Sequence, residues 1–132
     1  MEINKMLSGA GLKCTKQRIM IMEQLSKSPV PLTAEEIHER VDMSLSTVYR
    51  TVETLCEKGI VNKNTIRDSD KFYYEMITDK HRHYAICLGC RRMKYVDVCP
   101  VHTARVDGFT VTGHKLEIYG YCDECREKNA TS

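Results

Sequence analysis

Two Cys-x-x-Cys pairs, Cys87/Cys90 and Cys122/Cys125, stand 31 residues apart and constrain this chain more than any other feature. Each pair can clamp one side of a metal ion, and two pairs complete the tetrahedral four-thiolate shell that zinc favours. Binding requires thiolates, and zinc lowers their pKa enough to release the protons. A disulfide or a redox Cys-x-x-Cys is the competing reading of a single pair. Two pairs at this spacing are far more specific for metal. Such a closed shell leaves no ligand position for water, so it staples the C-terminal half together and performs no chemistry of its own.

A staple suits the size of the chain. With 132 residues, the sequence fits one domain or two very small ones. A half of roughly 50 residues has too little core to stand alone. No apolar run approaches the roughly 18 residues of a membrane span, and residues 1–10 lack a signal peptide's apolar centre. The expectation is a cytoplasmic protein with no membrane partner, where reduced thiols favour metal binding over disulfides. Net charge is only +2, and residues 1–80 set 12 Lys/Arg against 12 Asp/Glu. Bulk charge therefore does not announce nucleic-acid binding, and the placement of the charges has to carry that argument.

Metal-ligating residues are unevenly spread. Residues 1–80 hold two cysteines and one histidine, whereas 81–132 hold five and four. This shift predicts two domains, 1–78 and 79–132. In the first, Thr15 caps a helix over about 16–26, with Ile19, Met22 and Leu25 on one face. Ser28-Pro29-Val30-Pro31 stops it. Thr33, with Glu36 three residues on, forms a capping-box pattern that opens a second helix with an Ala34, Ile37, Val41 stripe. After a turn over 42–45, Ser46 is expected to cap a third helix through Lys58, with Val48, Val52, Leu55 and Cys56 inward and Gly59 ending it. Segments 60–66 and 72–76, joined by a polar turn, read as a hairpin. This is the element order of a winged helix-turn-helix. In the second domain, strands over 83–87 and 92–96 bracket the first knuckle. A short helix is expected from Pro100 to about Val106, then one or two strands over 109–119 and a tail over 129–132. The fold class is α+β.

The third helix places Ser46, Thr47, Tyr49 and Arg50 outward while Val48 turns in. Hydroxyls, a phenol and a guanidinium at the start of a recognition helix suit phosphates and base edges, and a helix N-terminus attracts phosphate. The competing reading is an ordinary solvated face. Lys13, Thr15, Lys16, Gln17 and Arg18 gather at the start of an earlier helix, where they can grip the adjacent backbone. With a wing beside them, these groups point to double-stranded DNA.

Five stretches together resemble the ferric-uptake regulator (Fur) family. They are Gly11-Leu12-Lys13-Cys14-Thr15-Lys16-Gln17-Arg18, Leu32-Thr33-Ala34-Glu35-Glu36-Ile37, Ser46-Thr47-Val48-Tyr49-Arg50-Thr51, Cys87-Leu88-Gly89-Cys90, and His114-Lys115-Leu116-Glu117-Ile118-Tyr119-Gly120-Tyr121-Cys122. The resemblance implies a homodimeric, metal-dependent transcription factor, a repressor, with an N-terminal winged helix and a small α/β dimerisation domain. It implies operator DNA as partner and a structural zinc on Cys87, Cys90, Cys122 and Cys125. Tyr49 is similar to the family's base-contacting tyrosine, and Lys13 and Arg18 occupy its DNA-contacting positions.

The resemblance also locates the sensor. At the family's hinge-site positions this chain has Arg82, Tyr84, Pro31 and Tyr95, and only Glu75 survives, so the usual hinge site is absent or rebuilt. A second family site, within the dimerisation domain, survives in altered form: His81 and His83 occupy two positions, His114 matches the distal histidine, and His102 aligns with a ligand that is usually glutamate. Imidazoles suit zinc, iron, nickel and cobalt, and manganese also stays open, so the ligands do not name the metal. The competing reading is scattered surface histidines. His38 reads as a surface residue, and Cys14 and Cys56 as small buried or half-buried side chains. Cys99-Pro100 has the form of a haem-regulatory dipeptide, a weak signal, and Cys99 is also open to a metal or redox role. Two alternatives stand beside the metal-gated repressor: a peroxide or redox sensor of the same family, and a zinc-binding redox or metal-buffering protein without DNA function. An enzyme acting on a small organic substrate is not expected, because no general base is paired with a nucleophile.

Overall fold

A helix absent from the sequence-based expectation begins the fold: α1 (Ile3–Gly9) precedes α2 (Lys16–Lys27), α3 (Ala34–His38), α4 (Leu45–Glu57), β1 (Val61–Thr65) and β2 (Phe72–Met76). The structure is a computed structural model, and it describes residues 2–66, 69–78, 83–96, 105–112, 114 and 116–130. The chain divides into two compact units, Met1–Asp79 and Lys80–Ser132.

In the first unit, α1 has no side-chain cap at Glu2, which is why its start carries no sequence signal. Its Ile3, Met6, Leu7 and Ala10 nonetheless fall at helical spacing and pack on the core, with Leu7 fully buried. Helix α2 begins where Thr15 Oγ1 accepts the Arg18 N–H at 3.3 Å. Helix α3 carries the complete capping box: Thr33 Oγ1 accepts from Glu36 N–H at 3.2 Å, and Glu36 Oε1 accepts from Thr33 N–H at 2.9 Å. It ends at His38, so Val41 packs against the core from beyond the helix.

The cap of α4 is Ser44, not Ser46. Ser44 has an extended backbone and its Oγ accepts the Thr47 N–H at 3.2 Å. Ser46 therefore lies inside the first turn, where its hydroxyl is exposed. Val48, Val52 and Leu55 are fully buried on the opposite side, against Ile21, Met22 and Ile37. Gly59 ends α4 at φ 74°, a conformation that suits glycine. Strands β1 and β2 then form an antiparallel hairpin, Val61 opposite Met76 and Thr65 opposite Phe72. Tyr74 exchanges two backbone hydrogen bonds with Leu32, at 2.7 and 2.9 Å, and so ties the wing to the segment before α3.

The second unit contains β3 (His83–Cys87), β4 (Met93–Val96), β5 (Glu117–Gly120) and α5 (Asp123–Ala130). The sheet order is β4-β3-β5, with β4 antiparallel and β5 parallel to β3. Two expectations are corrected. Residues 109–112 form no strand and are exposed, whereas the strand expected over 109–119 is confined to Glu117–Gly120. Among the described residues, 109–112 find no neighbouring strand to pair with, and alternation without a partner does not make a strand. The tail expected over 129–132 begins within a helix, since α5 runs to Ala130. Most of the helix expected over 100–106 lies outside the described residues, and Arg105 and Val106 are not helical.

Candidate metal centre and nucleic-acid interface

The parallel pairing of β3 with β5 builds the cysteine centre. Cys87 is opposite Gly120 and Leu88 N–H donates to Gly120 carbonyl oxygen at 2.8 Å, so Cys122 arrives beside Cys87 two residues later. Cys90 follows through the turn that closes the first knuckle, and Cys125 sits in the first turns of α5. All four Sγ atoms lie within 4.8 Å of one another. Cys90 Sγ and Cys122 Sγ are 3.8 Å apart, close to the edge of about 3.8 Å that a tetrahedron with 2.3 Å zinc–sulfur bonds requires.

The electrostatics also ask for a cation. Backbone N–H groups of Cys122 and Cys90 point at Cys87 Sγ, at 3.4 and 3.5 Å. They pull the Cys87 thiol down to about 6. Hydrogen bonding with Cys87, then with Cys122, pushes the Cys125 thiol up to about 12. Four sulfurs this close cannot all ionise unless a positive charge joins them. The donor set fits a structural zinc.

Two residues around the thiols are functional in a way their types did not announce. A Cβ added at Gly89 would meet Cys125 Sγ at 2.8 Å and Cys125 Cβ at 3.0 Å, so the knuckle needs glycine to let the second pair approach. Arg91 takes a φ of 65° where the knuckle closes and its N–H donates to the Cys87 carbonyl at 2.9 Å. The Cys-Leu-Gly-Cys spelling was the available signal for Gly89, whereas Arg91 gives none.

Of the four histidines expected at a sensor site, the structure describes two and brings them together. His83, buried at the start of β3, has Nε2 3.2 Å from Nε2 of exposed His114, with ring centroids 5.1 Å apart and an interplanar angle of 27°. Two nitrogens about 2.0–2.1 Å from one tetrahedral zinc are separated by about 3.3 Å, so the pair has the spacing of joint ligands. His81 and His102 lie outside the described residues, as does Cys99. Tyr84 and Tyr95, at positions where the family resemblance places hinge ligands, face each other across β3 and β4 with ring centroids 6.1 Å apart. His38 is exposed, as expected. Cys56 is half-buried, and burial pushes its thiol up to about 11. Cys14 is exposed, against the expectation of a buried or half-buried side chain: in the loop before α2 its Sγ lies against polar atoms of α1, 3.6 Å from the Asn4 carbonyl oxygen and 3.9 Å from Ser8 Oγ.

On the first unit, Ser46, Tyr49 and Arg50 are exposed along α4, while Thr47 is half-buried with its hydroxyl 2.8 Å from Ser44 Oγ. Lys13 and Gln17 are exposed at the start of α2. Arg18 Nη1 donates to the Lys13 carbonyl at 2.9 Å, and Thr15 spends its hydroxyl on the cap. Tyr49 OH donates to Glu35 Oε1 at 2.8 Å. This bond raises the phenol above its ordinary value of 10.0. Glu35 is in turn held below the ordinary carboxylate value, first by its own backbone N–H and then by Tyr49. The sequence alone assigns no role to Glu35 or Ser44; helix packing gives the first its partner and backbone geometry makes the second the cap.

Comparison with known proteins agrees with this architecture. The sequence profile described as the Ferric uptake regulator family matches residues 9–119. The Peroxide operon regulator of Bacillus subtilis (strain 168) is 34% identical over 132 residues, covering 92% of this chain and 90% of that protein. A Ferric uptake regulation protein of Staphylococcus epidermidis is 31% identical over 131 residues, covering 94% of each. Among solved structures, the ferric uptake regulator of Vibrio cholerae superposes with a TM-score of 0.73 at 26% identity, over 92% of this chain and all of that one.

Proposed function

Because this chain belongs to the ferric uptake regulator family, we propose that it is a metal-dependent transcriptional regulator, a repressor that binds operator DNA as a homodimer in the cytoplasm. The observation that carries the reading is the exposed Ser46, Tyr49 and Arg50 face on α4, at the start of a recognition helix whose other side is fully buried. Arg50 and Tyr49 take the base edges, and Ser46, Lys13 and Gln17 take phosphates.

The regulatory site centres on His83 and His114, joined by His81 and His102. A divalent cation bound there, iron or zinc, would supply a fixed link between β3 and the segment carrying His114. His83 brings a ligand already ordered by burial, and His114 brings the exposed partner that has to be restrained. Ordering this unit changes how the homodimer presents its two recognition helices to operator half-sites. A hundredfold change in DNA affinity requires only about 2.7 kcal/mol of coupling. The four-cysteine zinc holds the sheet in register throughout.

Duplexes selected from a random library by the metal-loaded protein supply the test. Metal-stripped protein retaining its cysteine zinc, and the variants Tyr49→Ala, Arg50→Ala and His83→Ala/His114→Ala, are then compared by fluorescence anisotropy. Tyr49 and Arg50 variants that bind the selected duplex like wild type would remove α4 from the interface. A histidine variant that still responds to added metal would remove the sensor.

The similarity to the Bacillus subtilis peroxide operon regulator supports a second reading, a peroxide-sensing repressor. Peroxide added to the iron-loaded protein then adds oxygen to His83 or His114, read by mass spectrometry. Unmodified histidines with full DNA binding would exclude it.

A further inference from the structure

Resting on the reading that α4 faces operator DNA, we propose that Glu35 is a positioning residue for base recognition: its carboxylate holds the phenol of Tyr49 in one orientation and trades overall DNA affinity for sequence discrimination. The two residues are 14 positions apart, on the two helices of the helix-turn-helix, and their bond is 2.8 Å. Glu35 itself is fixed in the first turn of α3, between the partners of the Thr33–Glu36 capping box.

Packing alone does not hold the phenol. Tyr49 is 39% exposed, and with Glu35 it lines one side of a recess of about 280 Å³ that Asp70, Lys71, Phe72 and Tyr74 also line. The recess leaves space beside the ring, and the bond to the carboxylate fixes where the phenol oxygen sits. Electrostatics sharpen the point: a carboxylate on a surface that approaches phosphates repels them, and so weakens binding to any sequence. The bond also sets the polarity of the phenol. With its proton committed to Glu35, the Tyr49 oxygen presents lone pairs to the groove, which match the exocyclic amino groups of adenine and cytosine.

The test uses the metal-loaded full chain, a duplex selected by the wild-type protein, and a scrambled duplex of equal length. Affinities for both are measured across a salt series for wild type, Glu35→Ala, Glu35→Gln and Tyr49→Ala, with thermal unfolding as the check on folding. Glu35→Ala is expected to lower the ratio of selected to scrambled affinity by on the order of tenfold, the lower range of one base contact. Its affinity for the scrambled duplex rises at the same time. Glu35→Gln, whose amide oxygen still accepts the phenol proton, keeps discrimination within about threefold of wild type while also gaining scrambled affinity. If Tyr49→Ala loses discrimination but Glu35→Ala keeps it, the positioning role is overturned and the α4 interface stands. If Tyr49→Ala binds the selected duplex like wild type, the interface itself falls, and the role of Glu35 with it.

Discussion

Gly89 offers the sharpest test of the four-sulfur centre. An alanine Cβ at this position would lie 2.8 Å from Cys125 Sγ and 3.0 Å from Cys125 Cβ. Ordinary contacts need about 3.5–4.0 Å, so Cys125 has to retreat by about 0.8 Å. That is about a third of a 2.3 Å zinc–sulfur bond, and the sulfur cannot leave without opening the tetrahedron. Gly89 is not in the left-handed region, so alanine brings no backbone strain and the whole effect is steric. Overpacking of this kind costs about 1–3 kcal/mol, which weakens zinc binding by about 5- to 150-fold. Competition against a chromophoric chelator measures the loss, and thermal unfolding with and without chelator confirms it. Gly59→Ala is the control: its φ is 74° with nothing within 4 Å of an added Cβ, so it strains the end of α4 by about 1–2 kcal/mol and leaves zinc affinity alone. A Gly89→Ala protein that holds zinc like wild type would refute the close approach of the two knuckles.

The histidine pair and the cysteines should differ in their dependence. His83→Ala/His114→Ala is expected to lose one metal per subunit and keep the cysteine zinc by elemental analysis, whereas stripping the cysteine zinc releases both metals. Unchanged stoichiometry in the double variant sinks the histidine site. Ser44→Ala should lower stability by about 1 kcal/mol through loss of the α4 cap, while Ser46→Ala is near neutral. The reverse order in chemical denaturation would restore Ser46 as the cap. Because the Glu35 bond raises the Tyr49 phenol above 10.0 and lowers the Glu35 carboxyl below 4.5, any stability from the pair is fully present between pH 4.5 and 10.0, fading as pH rises through the raised phenol value or falls through the lowered carboxyl value. Carbon-13 NMR of labelled tyrosine rings should show Tyr49 titrating lower in Glu35→Ala, and an unchanged titration contradicts the bond.

Local rules reached most of the first unit because its signals are local. Thr15 and the Thr33/Glu36 box satisfy N–H groups within three residues of themselves, so a linear reading finds them. The same rule chose wrongly at α4. Ser44 and Ser46 both stand near the helix start, and only the extended backbone of Ser44 decides between them. Helix α1 escaped because no cap marks it and seven residues seldom form a helix alone. Its stability comes from Leu7, which is buried by residues distant in sequence. The strand expected across 109–119 failed for the related reason that alternation predicts a face, and a strand also needs a neighbour. Glu117–Gly120 has β3 beside it.

The site divides in the same way. Cysteine spacing disclosed the zinc ligands because each pair is closed by its own turn, but it could not show that Gly89 lies under Cys125 or that Glu35 holds Tyr49. Those contacts are products of register and helix packing. A single strand pair governs both the sulfur cluster and the histidine pair. Parallel pairing places Cys87 opposite Gly120 and Tyr84 opposite Glu117, so one end of β3 gathers the sulfurs and the other carries His83 toward His114. The two ends are about 13 Å apart along the strand. A slip of one residue would turn every side chain of β5 to the other face. The sulfur cluster forbids that slip, because Cys122 and Cys125 have to meet Cys87 and Cys90. The staple thus sets the register on which the histidine pair depends, and the dependence runs in one direction: His83 and His114 are not needed to bring the four sulfurs together.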